Sequence, residues 1–384
     1  MTGTQRSARW PSAASLQGAL ALGAIMGIGR FVFTPALGAM EADGVITGER
    51  GAIIASANYA GYLVGAMVML VGRRLQRPWP FRISLLALAA TMALMVIPSF
   101  PIWFAARFIA GLASAVAFVA VAQVVATRRG EGYDPGIIYA GLGGGVAVTG
   151  IVGGLTAGLP WVAQWWIGGA LILLVAVVIW RFDPTPGVPP APTSMGEPIV
   201  PRPRTSWWLL FIQYGLQGAG YIILGTFLVV LVNAEVHVSL GAWFWVVAGL
   251  VAMPSTTIWR RVADRLSPAL ALSIVLGLQT VAALLPVLVG GMIAALLSAA
   301  LFGGTFIAAV MLATGMIQLG VSGAAARLTA LGAVGQLLGP LAVLPLLGSG
   351  YTGAFAVAAG INGVAFVLSI FLVRSLRPRR TLEP

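Results

Sequence analysis

Arg30 stands inside the first long apolar stretch, Leu16 to Gly38, which reads LQGALALGAIMGIGRFVFTPALG. The stretch is long enough to cross a bilayer, and a guanidinium at mid-membrane costs several kcal/mol unless it faces a polar cavity or a partner. A guanidinium so placed binds a carboxylate or phosphate through charge-assisted, bidentate hydrogen bonds. A second one, Arg107, lies in the fourth apolar stretch. At about 1.5 Å per helical residue, Arg30 and Arg107 stand about 12 Å and about 9 Å below the outer ends of their segments, at similar depth. For Arg107 a structural role, bonding to backbone carbonyls of a neighbour, weighs equally. For Arg30 the competing reading is snorkelling to an interface that is more than a turn away.

Neutral polar residues accompany them. Thr34 follows Gly23, Gly27 and Arg30 on one helical face, where the small residues let a neighbour approach. Asn58 and Tyr62 are four apart, as are Gln213, Gln217 and Tyr221, and Gln336 sits beside Gly335, Gly339 and Pro340. Such groups orient a ligand, or hydrogen-bond between helices. Gln123 points about 160° away from Arg107 and is assigned to packing. No Asp or Glu falls well inside an apolar segment; Glu49, Asp134 and Glu235 stand at segment ends. An anionic solute is therefore favoured over a cation, and proton coupling is left to a carboxylate at an end or to a titrating solute. The chain has no Cys and one His, His237, so no thiol chemistry, disulfide or imidazole metal cluster is available. No cofactor, metal or enzymatic activity is expected. No phosphate-binding loop occurs, so the chain carries no sequence signal for ATP as an energy source, which leaves a gradient as the expected driving force.

The elements that position these groups are membrane helices. The chain is 59% hydrophobic and only 8% charged, with mean hydropathy +0.97. Twelve segments emerge, at about 16–38, 50–72, 81–98, 101–126, 135–158, 161–181, 206–232, 240–259, 267–289, 291–317, 326–347 and 352–374. The net charge of +12 comes from Arg alone and falls on alternate loops: Arg73, Arg74, Arg77, Arg128, Arg260, Arg261, Arg265 and Arg377 lie on one side. The other side holds Arg50 with Glu41, Asp43, Glu49 and Glu235. That asymmetry places both termini in the cytoplasm of a bacterial inner membrane and replaces the nucleic-acid partner that a basic chain otherwise suggests. Tryptophans such as Trp79, Trp180, Trp165 and Trp245 gather at segment ends, as in interfacial belts. A Pro-rich stretch at 182–205 separates six segments in 1–181 from six in 206–384. Gly27-Ile28-Gly29-Arg30 is echoed by Gly218-Ala219-Gly220-Tyr221, and Arg74 to Arg77 by Val262 to Arg265. Matched halves point to a transporter with its site between them.

Twelve spans, the linker and the loop motifs resemble the major facilitator superfamily. Arg260-Arg261-Val262-Ala263-Asp264-Arg265 looks like its cytoplasmic Gly-x-x-x-Asp-Arg motif, and Arg107 with Gly111 and Ser114 looks like its fourth-helix Arg motif. MGIGRFVFTP, SANYAGYLVGA, YGLQGAGYIILGTFL and GQLLGP resemble the YbfB/YjiJ-type transporters within it. Two features depart: Gln76 stands where an Asp is usual, and the Gly-rich fifth segment lacks its Pro. The resemblance implies an all-α integral membrane fold, two pseudo-symmetric six-helix bundles around a central cavity lined by the first and fourth spans. It implies a gate at Asp264 and Arg265, joined by Arg261 and Arg77, and a secondary transporter working by alternating access. The solute is expected to be a small organic anion, held by Arg30 and Arg107 with Thr34, Asn58, Tyr62, Gln213, Gln217, Tyr221 and Gln336. The lipid bilayer and protons are the other expected partners, and the carrier is expected as a monomer. Other readings are a multidrug or metabolite exporter with an aromatic cavity, and a non-transporting membrane sensor or scaffold.

Overall fold

The computed structural model describes residues 11–71, 77–128, 131–187, 204–237, 240–316 and 324–376. These residues form helices and turns, with no strand among them. Among them twelve long helices follow one another: α1 Ala13–Ala42, α2 Gly48–Val71, α3 Pro78–Met95, α4 Phe100–Thr127, α5 Pro135–Leu155 and α6 Val162–Val178. Then come α7 Arg204–Glu235, α8 Gly241–Arg265, α9 Pro268–Leu288, α10 Gly291–Gly315, α11 Ala324–Ala342 and α12 Thr352–Leu376. A single turn, Leu344–Leu347, prolongs α11. Eleven are long and apolar enough to span a membrane, and α6 is an apolar helix just short of that length.

Local chemistry sets where the helices begin. Proline occupies the first turn of α3, α4, α5 and α9, where its missing N–H leaves no intrahelical bond unmade. Asp134 caps α5 by accepting from the N–H groups of Gly136 (2.7 Å) and Ile137 (3.3 Å), which gives this carboxylate a structural task. Gly290 and Gly291 both have positive φ and make the tight reversal between α9 and α10.

Packing repeats between the two sets of six. α1 lies on α5, α2 on α4, and α3 on α4 and α6; correspondingly α7 lies on α11, α8 on α10, and α9 on α10 and α12. The two sets meet along α5–α8 and α2–α11, with α1 against α7. Backbone contact makes these seams close: a Cβ added to Gly249 of α8 would stand 2.2 Å from the amide nitrogen of Ala147 in α5. The Pro-rich stretch is described only as far as Gly187. Its start is pinned by Gly187 N–H donating to Thr127 Oγ1 (2.9 Å) and by Arg128, which donates to the carbonyl of Thr185 (3.5 Å) and lies 3.9 Å from the Asp183 carboxylate.

The tryptophans divide into two groups. Trp79, Trp166, Trp180, Trp208 and Trp243 are exposed at helix ends, as belts require. Trp103, Trp161, Trp165 and Trp245 are buried, which corrects the reading of every tryptophan as interfacial. They stand near helix ends but face protein: Trp103 meets Trp161 edge-on at 5.6 Å, and Trp245 stacks on Phe302.

Candidate functional site

The helix that carries Arg30 is irregular where it matters. Over Gly23–Ile28 α1 widens to a π-turn, in which the Gly29 N–H reaches back five residues to the Ala24 carbonyl. The glycines there face α5: a Cβ on Gly27 would stand 2.4 Å from the Cα of Gly145. The extra residue of the π-turn rotates the next part of the helix, so Arg30 does not share the face of Gly23 and Gly27. It turns instead toward α2 and α11.

The Arg30 side chain is buried at the seam between the two sets of helices. Its Nη2 donates to Oε1 of Gln336 in α11. Its guanidinium lies over the rings of Tyr59 (4.8 Å) and Tyr62 (4.7 Å) of α2, and Phe31 is at 5.7 Å. Such cation–π contacts contribute about 2 kcal/mol or more where water is excluded. Nε has no hydrogen-bond partner among the described residues. Among those residues the ion pairs are those of Arg128 with Glu131 and Asp183, and no carboxylate reaches Arg30. The side chain is neither turned to lipid nor tied to main-chain oxygens, and its charge is met only by neutral groups.

Arg107 is spent differently. Its Nη1 donates to the carbonyl of Gly29 (3.1 Å) and its Nη2 to that of Arg30 (2.9 Å). These carbonyls belong to the short segment Gly29–Phe31, where α1 is interrupted at Val32 ahead of Pro35, and the guanidinium fork meets two of them at once. Ser114 adds a bond to the carbonyl of Ile25 (3.3 Å). The Asn58 side chain donates to the carbonyl of Arg107 (2.9 Å), and the Asn58 carbonyl lies against Gly111. Arg107 and Asn58 thus hold the broken part of α1, and the two arginines do not converge on one opening.

The α7 stripe also splits. Tyr221 stacks on Phe306 of α10 at 6.3 Å and looks toward the Arg30 side. Gln217 donates to Gln279 of α9 (3.4 Å), and both side-chain polar atoms of Gln213 are buried without a partner among the described residues. Asn362 of α12 packs against Gly220. Gln217 and Asn362 thus face α9 and α7 within the second set of helices rather than the central seam. Thr34 donates across the seam to the carbonyl of Gly225. Tyr59, Phe31 and Phe306 escaped the sequence reading. Their signals were present, with Tyr59 three residues before Tyr62, Phe31 next to Arg30 and Phe302 four before Phe306, but aromatic residues are too common in apolar helices to stand out.

At the acidic end of the bundle, the Tyr351 hydroxyl donates to both Glu41 carboxylate oxygens, each at 2.6 Å. This joins the end of α1 to the turn before α12. A Cβ on Gly48 would lie 2.7 Å from that hydroxyl, so the glycine makes room for it. Burial and the Glu41 carboxylate push the Tyr351 phenol well above its ordinary range, so it remains a donor. A cavity of about 500 Å³ remains nearby among α1, α5, α7 and α8; its deepest α1 residue is Pro35, outward of Arg30. At the basic end Arg77, Arg261, Asp264 and Arg265 are exposed, and none forms an ion pair with a described residue. A side-chain bond thus joins the two sets of helices at the acidic end, while these four residues make no ion pair with a described residue at the basic end.

Residues 22–374 match the family described as uncharacterised MFS-type transporter YbfB. Curated protein sequences give no match. Solved structures of similar fold include a bacterial homologue of the human lysosomal transporter Spinster, inward-facing and occupied (14% identity, 95% of this chain and 98% of that one, TM-score 0.70). Others are the nucleoside transporter NupG (16%, 96% and 100%, TM-score 0.66) and the human organic anion transporter MFSD10 (17%, 94% and 100%, TM-score 0.64).

Proposed function

The chain belongs to the family of MFS-type transporters typified by YbfB, and on that premise we propose that it carries a small organic anion by alternating access, with Arg30 as the anion's contact. The observation behind this is the Arg30 guanidinium itself, buried between the two sets of helices. Among the described residues it has no carboxylate to neutralise it, and a neutral Gln336 is its one hydrogen-bond partner. A charge kept at such cost needs a use, and a carboxylate arriving in the seam supplies the missing partner. Tyr62, Tyr221 and Gln336 line the same place, while Thr34 closes it outward. Arg107 and Asn58 act as positioning residues that hold α1. Gln213 and Gln217 support α7 from behind.

In this proposal residues 1–181 and 206–384 are the two rocking bundles, joined by 182–205. The positive-inside rule puts the basic end in the cytoplasm of a bacterial inner membrane, with both termini. Asp264, Arg265, Arg261 and Arg77 close that end when the Glu41–Tyr351 latch opens, and a proton gradient is the proposed drive. Among the proteins of similar fold one is named for nucleosides and one for organic anions, which supports a small organic solute of either kind.

The test is uptake into proteoliposomes of labelled carboxylates, sugar phosphates and drugs, with and without a pH gradient. An organic anion should accumulate, Arg30→Gln should lose at least tenfold of its uptake, and Gln123→Ala should keep it. A second reading, an exporter of apolar solutes, is favoured by the aromatic rings around the seam; normal transport by Arg30→Gln would select it.

A further inference from the structure

The rings facing Arg30 across the seam run nearly parallel to one another, offset rather than eclipsed. Tyr221 of α7 lies over Phe306 with 17° between planes, Phe306 over Phe302 at 4.9 Å and 4°, and Phe302 over Trp245 of α8 at 5.7 Å and 24°. Phe31 meets this stack from the other side, 5.8 Å from Phe306 and 5.9 Å from Trp245, and it also borders the Arg30 guanidinium. One residue pair, Arg30-Phe31, therefore places a fixed positive charge at the edge of a series of parallel π-faces contributed by three helices of the opposite set. Aliphatic side chains would fill an ordinary apolar seam as well. Phe31 stands edge-on to Phe306 (75° between planes) and tilted to Trp245 (56°), so when the two sets of helices part along this seam a ring withdraws from the stack, and the aromatic surface it leaves is covered best by another aromatic ring.

The charge count narrows the class further. With both terminal nitrogens of Arg107 bound to main chain, Arg30 is the one guanidinium among the described residues left to meet an anion there. One guanidinium suits a monoanion. We infer that the solute is a planar aromatic or heteroaromatic monocarboxylate, its carboxylate on Arg30 and its ring between Phe31 and the Tyr221–Phe306–Phe302–Trp245 stack. This inference rests on the anion reading above and deepens it.

The full chain in detergent, titrated with three probes, tests it: 2-naphthoate, its saturated analogue decalin-2-carboxylate, and 2-naphthamide. Binding is read from the ligand-dependent rise in melting temperature. 2-Naphthoate should bind at least tenfold tighter than the saturated acid, about 1.4 kcal/mol. Phe306→Leu should cut that preference below threefold, and Phe306→Tyr should keep it. Arg30→Gln should weaken both acids alike and leave their ratio. Two acids within threefold of each other, both lost in Arg30→Gln, overturn the aromatic inference and leave the anion reading standing. An amide that binds as well as the acid, with Arg30→Gln unchanged, overturns both, as does the absence of binding by every probe.

Discussion

Two arginines at one depth came to opposite uses, and the difference lies in what surrounds each guanidinium. Arg107 faces carbonyls of the short segment Gly29–Phe31, where α1 is interrupted, so both its terminal nitrogens are bound to backbone, although its Nε, like that of Arg30, has no partner among the described residues. Arg30 faces a neutral amide and the π-faces of two tyrosines, which lower the cost of burial without consuming the charge. Removing Arg107 should therefore be a stability event. Arg107→Ala leaves two buried carbonyls unpaired, and the purified protein should lose about 2–4 kcal/mol, read as a lower melting temperature. Arg107→Lys should recover only part, because an ammonium lacks the planar fork that reaches both oxygens. Sequence alone named both arginines and left the role of Arg107 undecided. Nothing in the spacing of residues says which carbonyls of α1 come within reach of Arg107, and the packing of α4 on α1 is what assigns them.

Helices in this chain are held by close backbone approach, so glycine positions are not equivalent. A Cβ on Gly27 would come within 2.4 Å of the Cα of Gly145, whereas one on Gly144 would have only the terminal methyl of Met253 nearby, at 4.0 Å. Gly27→Ala should destabilise by about 1–3 kcal/mol through overpacking. Gly144→Ala should be neutral or stabilise by up to about 1 kcal/mol, because alanine loses less backbone freedom in a helix. Melting curves of the two purified variants check the contrast. The boundaries of most segments were legible within a few residues, because proline and charge mark them. The rotation of each helix was legible only where it stayed regular. Tyr221 faces the seam, but Gln217 on the same counted stripe turns to Gln279 of α9 and Gln213 is buried without a partner among the described residues, since a stripe four residues apart drifts around a helix and its neighbours decide which part faces the centre.

For the whole molecule the deciding feature is an asymmetry between its ends. Glu41 and Tyr351 join the two sets of helices at the acidic end, while Asp264 and Arg265 stand free of ion pairs with described residues at the basic end. Tyr351→Phe should release the latch. The chain has no cysteine, so a single Ala36→Cys, at a position now fully buried, provides the only thiol. A membrane-impermeant maleimide should label it several-fold faster in the Tyr351→Phe background. Because the Tyr351 phenol is raised above its ordinary value, it stays protonated as pH rises, so the ratio of labelling rates between the Tyr351→Phe and Tyr351 backgrounds should hold between pH 7 and 9 while the growing thiolate fraction speeds both alike. A ratio that falls toward one over that range would place the latch on another group.

Composition, apolar length and charge alternation by themselves determined that this is a multi-span membrane protein of twelve helices, because burying a backbone in lipid leaves a chain few options. They also singled out Arg30, since a charge in an apolar run is visible at once. Tertiary structure alone decided which groups meet it: the amide of Gln336 from more than three hundred residues away, the tyrosines of α2 and the stacked rings beyond Phe31. Those contacts depend on helix rotation and on which helices pair across the seam, quantities set by packing between distant segments rather than by any local pattern.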